Sequence, residues 1–310
     1  MTLTELRYIV TLAQEEHFGR AAERCFVSQP TLSIAVKKLE EELDVALFER
    51  SKTRVHPTPL GEKIVAQAQI ALEQTAAIKD LATAGKDQLS SPLKIGAIFT
   101  IGPYLFPHFI PELQKSAKQM PLYIEEGYTA TLRHRLRNGE LDVIIVALPF
   151  TEADVVTQAL YEEPFEVLIP VDHPLAEKTH IEPSDLDDYN VLLLGEGHCF
   201  RDQILEACPN LQAKFDSSST TTLQAATEGS SLETLRHMVA SGLGITVLPQ
   251  SAAGTSHYAQ GVLTTRSFSD PAPTRTVGLA WRASFPRHQA IDALRSAICD
   301  GHGICTILER

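Results

Sequence analysis

The 310-residue sequence has no apolar run of the roughly 18 to 20 residues that a membrane-spanning helix needs. Its N-terminus carries charges throughout, so it also lacks the basic and then apolar order of a signal peptide. Cysteine is scarce, and the odd number of five argues against a framework of structural disulfides. We therefore expect a cytoplasmic protein without a membrane partner, in which any disulfide is transient.

Common catalytic motifs are missing as well. The sequence contains no phosphate-binding loop, GxGxxG, HExxH or GxSxG motif. We expect no enzyme, no cofactor and no metal. The C-terminal segment CDGHGIC leaves a metal site at Cys299, His302 and Cys305 open, but exposed thiols are the simpler interpretation.

The net charge of −12 is distributed unevenly. Residues 1–60 contain 8 basic and 9 acidic side chains, whereas residues 90–310 contain 16 basic and 26 acidic ones. Bulk charge alone would argue against nucleic acid as a partner. A nearly neutral N-terminal domain can still bind DNA if its basic residues share one face.

The N-terminal residues have the apolar spacing of short helices. The first helix carries the pattern Leu6, Ile9, Val10 and Ala13. A third helix begins after Ser28, a residue type that caps helix N-termini. Its apolar stripe consists of Leu32, Ala35, Val36, Leu39 and Leu43. Three short helices with a capped last one predict a helix-turn-helix.

Side chains that face away from this stripe, or lie in the wing-like segment after it, are suited to DNA. Hydroxyls can bond base edges, an isoleucine can contact a thymine methyl, and basic side chains can contact phosphates. The candidate DNA contacts are Gln29, Pro30, Thr31, Ser33, Ile34, Lys37, Arg50, Lys52, Thr53 and Arg54. A charged helical surface without a partner is the alternative.

Residues 59–88 predict one long helix rich in Ala and Gln, with no Gly or Pro between Gly61 and Gly85. Its apolar stripe consists of Leu60, Ile64, Ala68, Ala71, Leu72, Ile78 and Leu81. Apolar side chains in such a stripe are stable when another surface buries them, so we expect a second copy of the chain to pack against this helix in a homodimer. Packing against the rest of the same chain is the alternative.

From residue 90 onward, strand-like runs alternate with helical stretches. The runs LKIGAIF, LYIEEGY, LDVIIVAL, FEVLIPV, NVLLLG and GITVLP predict an α/β region with largely parallel sheets. Its length suits two lobes with a cleft between them. Thr100 and Thr129 follow predicted strands, where ligands bind in such folds, although each could be an ordinary loop hydroxyl.

The segment GHCFRDQILEAC contains two of the five cysteines. If Cys199 lies at the N-terminus of a short helix, the backbone amides there favour its thiolate, and His198 and Arg201 would act in the same direction. An accessible thiolate attacks the O–O bond of a peroxide and gives a sulfenic acid, which a second thiol converts to a disulfide.

One intact helix would hold Cys199 and Cys208 roughly 13.5 Å apart along its axis. A disulfide needs Cα atoms about 4.4 to 6.8 Å apart, so a bond between these two requires the segment to unwind. Two alternatives remain open here. The pair could be inert buried thiols, or metal ligands together with His198.

Taken together, these residues resemble a known family over essentially the whole chain. AAERCFVSQPTLSIAVKKLEEELDVALFER, with its wing and long helix, is similar to the winged helix-turn-helix of LysR-type transcriptional regulators. SLETLRHMVASGLGITVLP resembles their effector domain. GHCFRDQILEAC resembles the redox segment of the peroxide-sensing OxyR group within that family.

The resemblance implies an N-terminal winged helix-turn-helix in residues 1–58, a linker helix in 59–89 and a two-lobed, periplasmic-binding-protein-like α/β domain in 90–310. Lobe I would comprise about 90–163 with 269–310, and lobe II about 164–268. It also implies a dimer of dimers on double-stranded DNA that works with RNA polymerase and activates antioxidant genes.

Individual roles also follow from the resemblance. Cys199 would react with hydrogen peroxide and Cys208 would resolve it to a disulfide. The residues expected to bind peroxide or to tune and orient the thiolate are Thr100, Thr129, His198, Arg201, Asp202 and Arg275. Two other functions remain: a LysR-type regulator driven by a small organic inducer in the cleft, and a thiol peroxidase with a dimerisation domain.

Overall fold

The structure is a computed structural model that describes residues 1–50, 55–83, 88–211, 213, 228–254, 261–301 and 306–307. Within these residues, every helix is too short or too polar to cross a bilayer. The α-helices are α1 (Leu3–Glu15), α2 (Phe18–Arg24), α3 (Gln29–Leu43), α4 (Pro59–Thr83), α5 (Gly102–Ser116), α6 (Thr129–Arg137), α7 (Cys199–Ala207), α8 (Leu232–Ala240), α9 (Gln250–Ala253) and α10 (His288–Gly301).

The strands follow the predicted order, with several additions. They are β1 (Phe48–Arg50), β2 (Val55–Pro57), β3 (Leu93–Ile98), β4 (Leu122–Gly127), β5 (Val143–Leu148), β6 (Val155–Pro170), β7 (His180–Ile181), β8 (Val191–Leu194), β9 (Glu228–Gly229), β10 (Ile245–Pro249), β11 (Leu263–Phe268), β12 (Thr274–Arg282) and β13 (Thr306–Ile307). All six strand-like runs of the sequence form strands, namely β3, β4, β5, the second half of β6, β8 and β10.

The N-terminal helices pack as the spacing predicts. Ile9 and Leu12 of α1 and Leu32 and Leu39 of α3 have no exposed area and meet in one core. The Ser28 hydroxyl accepts a hydrogen bond from the Thr31 amide at 3.3 Å, which caps α3. Strands β1 and β2 then pair antiparallel. The winged helix-turn-helix is confirmed.

Helix α4 is partly covered by its own chain, as the alternative interpretation held. Ile64 and Leu72 pack on the core of the N-terminal helices, and Ala68 is buried there. Further along α4, Glu73 forms an ion pair with Arg282 of β12 at 2.7 Å. Ile78 remains 66% exposed. The helix therefore joins the two parts of the chain and leaves Leu60 and Ile78 of its apolar stripe exposed.

Within the described residues, the chain after α4 forms an eleven-stranded sheet that is mixed rather than largely parallel. Parallel pairs join β3 to β4 and β5, and β8 to β10. However, β12 runs antiparallel to β5 and β6, and β10 and β11 run antiparallel to β6. The sequence prediction was wrong on this point because it missed β11, β12 and the first half of β6, whose alternation is weak.

Two hydrophobic cores lie along this sheet. The first contains β3, β5, α5 and α10, and we call the part around it lobe I. The second contains the second half of β6, β8, β10, α7 and α8, and we call its surroundings lobe II. Because β6 belongs to both, the lobes meet along a shared strand.

Candidate functional site

The two cysteines of the redox-like segment mark the two ends of α7. Cys199 is the first residue of the helix, His198 is its N-cap, and Cys208 follows the last helical residue as the C-cap. The predicted helix is therefore confirmed. With a rise of about 1.5 Å per residue, the helix separates the two Cα atoms by roughly 13.5 Å along its axis. No disulfide can form between them while α7 is intact.

Cys199 is half-buried and packs against the core of lobe I, although α7 belongs to lobe II. Its side chain is hydrogen-bonded to Thr129, the first residue of α6. Burial raises the pKa of the Cys199 thiol, whereas the Thr129 hydrogen bond and the charge of Arg275 lower it; burial prevails. The expectation of a lowered pKa is therefore wrong for this conformation, because desolvation outweighs the favourable partners.

Arg275 lies at the centre of this site. Its Nε donates to a Glu163 carboxylate oxygen at 2.7 Å, and two further nitrogens donate to Thr100, to Oγ1 at 3.0 Å and to the carbonyl oxygen at 2.9 Å. Its guanidinium also lies 5.2 Å from the centroid of the Phe200 ring. Burial raises the pKa of Glu163, but Arg275 and hydrogen bonds with Ser251 reverse this and hold it below its usual value. We call Thr100, Thr129, Glu163, Cys199 and Arg275 the interlobe site.

Two residues that the sequence assigned to thiolate tuning have other surroundings. The Nη1 of Arg201 donates to the Leu194 carbonyl oxygen at 2.9 Å, at the end of β8. Burial lowers the pKa of His198, so its imidazole favours the neutral form. A neutral His198 supplies no positive charge at Cys199, and Asp202 acts against the thiolate by raising the pKa of that thiol.

His198 instead belongs to a cluster of rings. Its ring centroid lies 4.8 Å from that of Tyr128 and 6.1 Å from that of Phe99, and Phe99 and Tyr128 are 5.2 Å apart. We call Phe99, Tyr128 and His198 the aromatic cluster. Sequence reasoning missed Phe99 and Tyr128, although each directly precedes a threonine of the candidate site. That adjacency was the available signal.

Cys208 differs from Cys199 in its environment. Its side chain is 3% exposed and lies in the core of lobe II. Burial and the nearby Asp187 raise the pKa of this thiol to about 11. The interpretation as inert buried thiols fits Cys208 in this conformation, but not Cys199 with its hydroxyl and guanidinium partners.

The predicted DNA contacts on α3 face solvent. Gln29, Pro30, Thr31, Ile34 and Lys37 are exposed and Ser33 is half-exposed. Arg50 belongs to β1, while Lys52, Thr53 and Arg54 lie outside the described residues. Sequence reasoning did not name Phe26 as an exposed residue beside this face, although its side chain is 95% exposed in the turn before α3.

The C-terminal cysteine motif lies largely outside the described residues. Cys299 is half-buried on α10, and His302 and Cys305 belong to the part that is not described. In the described part of the chain, no three His, Cys, Asp or Glu side chains form a cluster that would hold a metal ion.

Comparisons with known proteins agree with this arrangement. Residues 3–62 match the family of bacterial regulatory helix-turn-helix proteins of the lysR type, and residues 86–301 match the LysR substrate binding domain. The chain belongs to the LysR family of transcriptional regulators. The LysR family is a family of regulators rather than a class of enzymes.

Within the LysR family the chain belongs to the OxyR group. It is 39% identical over 305 residues to the DNA-binding transcriptional dual regulator OxyR of Escherichia coli K12, covering 97% of both chains. A full-length C199D form of OxyR from Pseudomonas aeruginosa is 64% identical, with a TM-score of 0.80 and coverage of 96% of this chain and 94% of that one. A hydrogen-peroxide-bound cysteine mutant of Corynebacterium glutamicum OxyR is 34% identical, with a TM-score of 0.65 and coverage of 97% and 92%.

Proposed function

We propose that this protein is a hydrogen-peroxide-sensing transcriptional regulator whose signal is a reversible disulfide between Cys199 and Cys208. The observation that carries the proposal is the position of the two thiols at opposite ends of α7. The Cys199–Cys208 disulfide and the intact helix exclude each other, so formation of the disulfide changes the structure of lobe II. Relatives named as hydrogen peroxide-inducible genes activators support the same function.

The first step takes place in the interlobe site. The sulfur of the Cys199 thiolate attacks one peroxide oxygen, the O–O bond breaks, and the second oxygen leaves as hydroxide, which takes up a proton to form water. Thr129 and Arg275 stabilise the thiolate, and Thr100 and Thr129 offer hydroxyls that can hydrogen-bond peroxide. The product is the sulfenic acid of Cys199.

The second step needs Cys208 to leave its core. As a buried thiol with a pKa of about 11, Cys208 is almost fully protonated at neutral pH and cannot reach Cys199. Unwinding of α7 exposes it and brings the sulfurs together. The Cys208 sulfur then attacks the Cys199 sulfur, the S–O bond breaks, and water is released. Overall, two thiols and one peroxide give one disulfide and two waters.

The remaining assignments divide the work along the chain. Residues 1–58 bind double-stranded DNA through the exposed face of α3 and the wing, residues 59–89 link and dimerise, and residues 90–310 sense peroxide. The protein acts in the cytoplasm as a dimer of dimers, engages RNA polymerase and activates antioxidant genes. It is not an enzyme, because each oxidation changes its own conformation and serves as a signal rather than as turnover of a substrate.

Peptide mapping without reductant tests the proposal. The reduced protein is treated with about one equivalent of hydrogen peroxide, and we expect one new disulfide-linked pair of peptides containing Cys199 and Cys208. Cys208→Ser should stop at the sulfenic acid and lose most of the change in DNA binding. Full switching by Cys208→Ser would contradict the disulfide mechanism. Steady peroxide turnover without specific DNA binding would point to a thiol peroxidase.

A metabolite screen distinguishes the proposed function from a LysR-type regulator that responds to a small organic inducer. If the cysteines are inert and an organic inducer drives the regulator, the number of reactive thiols stays constant after peroxide treatment. A small organic acid or amine would then raise the unfolding temperature of the protein by binding in the cleft. Our proposal predicts the loss of two thiols per chain.

A further inference from the structure

Tyr128 connects lobe I to the N-terminus of α7. It is the N-cap of α6, directly before Thr129, and its ring packs edge-on against the ring of His198, the N-cap of α7. A Cβ placed on Gly197 would lie 3.4 Å from the Tyr128 ring, so the ring also covers the backbone just before His198. Phe99 supports Tyr128 from the side of lobe I.

This contact exists only while α7 begins at Cys199. A disulfide with Cys208 requires the two Cα atoms to approach from roughly 13.5 Å to within about 7 Å, so α7 has to unwind, and unwinding of its first turn displaces the residues attached to it. His198 is bonded to Cys199 and buried against Tyr128, so it moves with that turn. Unwinding of that turn as the disulfide forms therefore breaks the contact between Tyr128 and His198.

We propose that Tyr128 is a positioning residue that stabilises the reduced form and thereby sets how readily the Cys199–Cys208 disulfide forms. The inference rests on the proposed peroxide-sensing function. It assigns to Tyr128 a role in the redox equilibrium and none in the attack on peroxide. The contribution comes from the ring and not from the hydroxyl.

The expected magnitude follows from the strength of one aromatic pair. In addition to the effect of burying its surface, such a pair changes an equilibrium constant by about 2- to 10-fold. Tyr128→Ala should therefore raise the equilibrium constant for disulfide formation by that factor, which corresponds to a reduction potential that is more negative by about 10 to 30 mV. Tyr128→Phe keeps the ring and should behave like the wild type.

The experiment measures the equilibrium between dithiol and disulfide in the full-length protein, in buffers of reduced and oxidised dithiothreitol. Tyr123→Ala is the matched control, because Tyr123 lies on β4 and is 61% exposed. We expect Tyr123→Ala and Tyr128→Phe to match the wild type and Tyr128→Ala to favour the disulfide. An unchanged equilibrium for Tyr128→Ala, or an equal shift for Tyr123→Ala, overturns the inference.

A kinetic measurement distinguishes stabilisation of the reduced form by Tyr128 from shielding of Cys199 against hydrogen peroxide. In a Cys208→Ser background, which isolates the first step, Tyr128→Ala should form the sulfenic acid at the wild-type rate with hydrogen peroxide. A faster reaction without a shifted equilibrium would mean that Tyr128 only shields Cys199, and the inference would be wrong. If the wild type itself forms no Cys199–Cys208 disulfide, the proposed function fails first, so the two failures are distinguishable.

Discussion

Arg275 and Glu163 are direct partners in the register of β12 and β6, and their side chains form an ion pair of 2.7 Å with no exposed area. The pair lies beside Cys199 and bonds to Thr100 of lobe I and to the Ser251 amide at the start of α9. A buried charge is stable only with its partner. The same arginine that favours the Cys199 thiolate therefore also holds neighbouring segments together.

The first prediction concerns this ion pair. Arg275→Met leaves Glu163 buried and without its partner charge, so we expect the free energy of unfolding of the reduced protein to fall by about 3 to 5 kcal/mol. Urea unfolding followed by circular dichroism measures it. Adding Glu163→Gln should recover a large part of the loss, because no unpaired charge remains. Additive losses in the double variant would contradict the pairing.

The second prediction concerns the hydroxyl of Thr129. Thr129→Val removes the hydrogen bond to Cys199, which raises the pKa of that thiol further and lowers its thiolate fraction at neutral pH. We expect the oxidation of Cys199 by hydrogen peroxide to slow by about tenfold. Stopped-flow mixing in a Cys208→Ser background measures the rate. Thr131→Val, on the exposed side of the same helix, is the control and should react at the normal rate.

The third prediction is a pH dependence of stability. The pKa of Cys208 is raised to about 11 in the folded protein, whereas an unfolded cysteine titrates near its ordinary value of about 8.5. Between these values the folded state binds more protons than the unfolded state, so stability falls as pH rises through this window. The contribution is complete below the ordinary value.

Urea unfolding of the reduced protein at several pH values between about 8 and 11 tests it. We expect Cys208 to contribute a loss of about 2 to 3 kcal/mol at most across the window. Cys208→Ala is less stable at all pH values because it leaves a cavity, but its stability should decline less steeply. An unchanged slope in Cys208→Ala would show that other groups cause the decline.

The fourth prediction separates two kinds of DNA contact on α3. We propose that Lys37 contacts a DNA phosphate, so Lys37→Gln should weaken binding for all sequences and decrease the slope of log K against log salt by about one. We propose that Ile34 makes an apolar contact with a base, so Ile34→Ala should reduce discrimination at one base pair and leave the salt slope unchanged. Fluorescence anisotropy with duplexes selected from a random pool measures both. Equal salt slopes in the two variants would contradict the assignment of Lys37.

Local patterns predicted most of the fold. The helical spacing around Ile9 and Leu32 gave the DNA-binding domain, and the capped α3 begins at the expected position after Ser28. The direction of the central strands was not predictable in this way. Strand β12 pairs with β5 and β6 across more than a hundred residues of sequence, and no local pattern encodes such a partner.

Sequence reasoning named four residues of the interlobe site, Thr100, Thr129, Cys199 and Arg275, but it missed Glu163 and did not give the electrostatics of the site. Proximity in sequence suggested that His198 and Arg201 favour the Cys199 thiolate, yet Arg201 donates to a carbonyl at the end of β8 and His198 packs edge-on against Tyr128. Arg275, whose charge lowers the pKa of the Cys199 thiol, is distant from it in sequence. Desolvation of Cys199 depends on tertiary packing between lobes, which a single segment does not reveal.

Strand β6 continues without interruption from lobe I, where it pairs with β12, into lobe II, where it pairs with β10 and β11. A rigid-body rotation that opened the two lobes would bend this strand and distort its hydrogen bonds to the neighbouring strands. Unwinding the short helix α7 between the lobes disrupts fewer hydrogen bonds. Formation of the disulfide therefore changes the backbone mainly in the turns of α7. This local change is the part of the signal that reaches the DNA-binding domain.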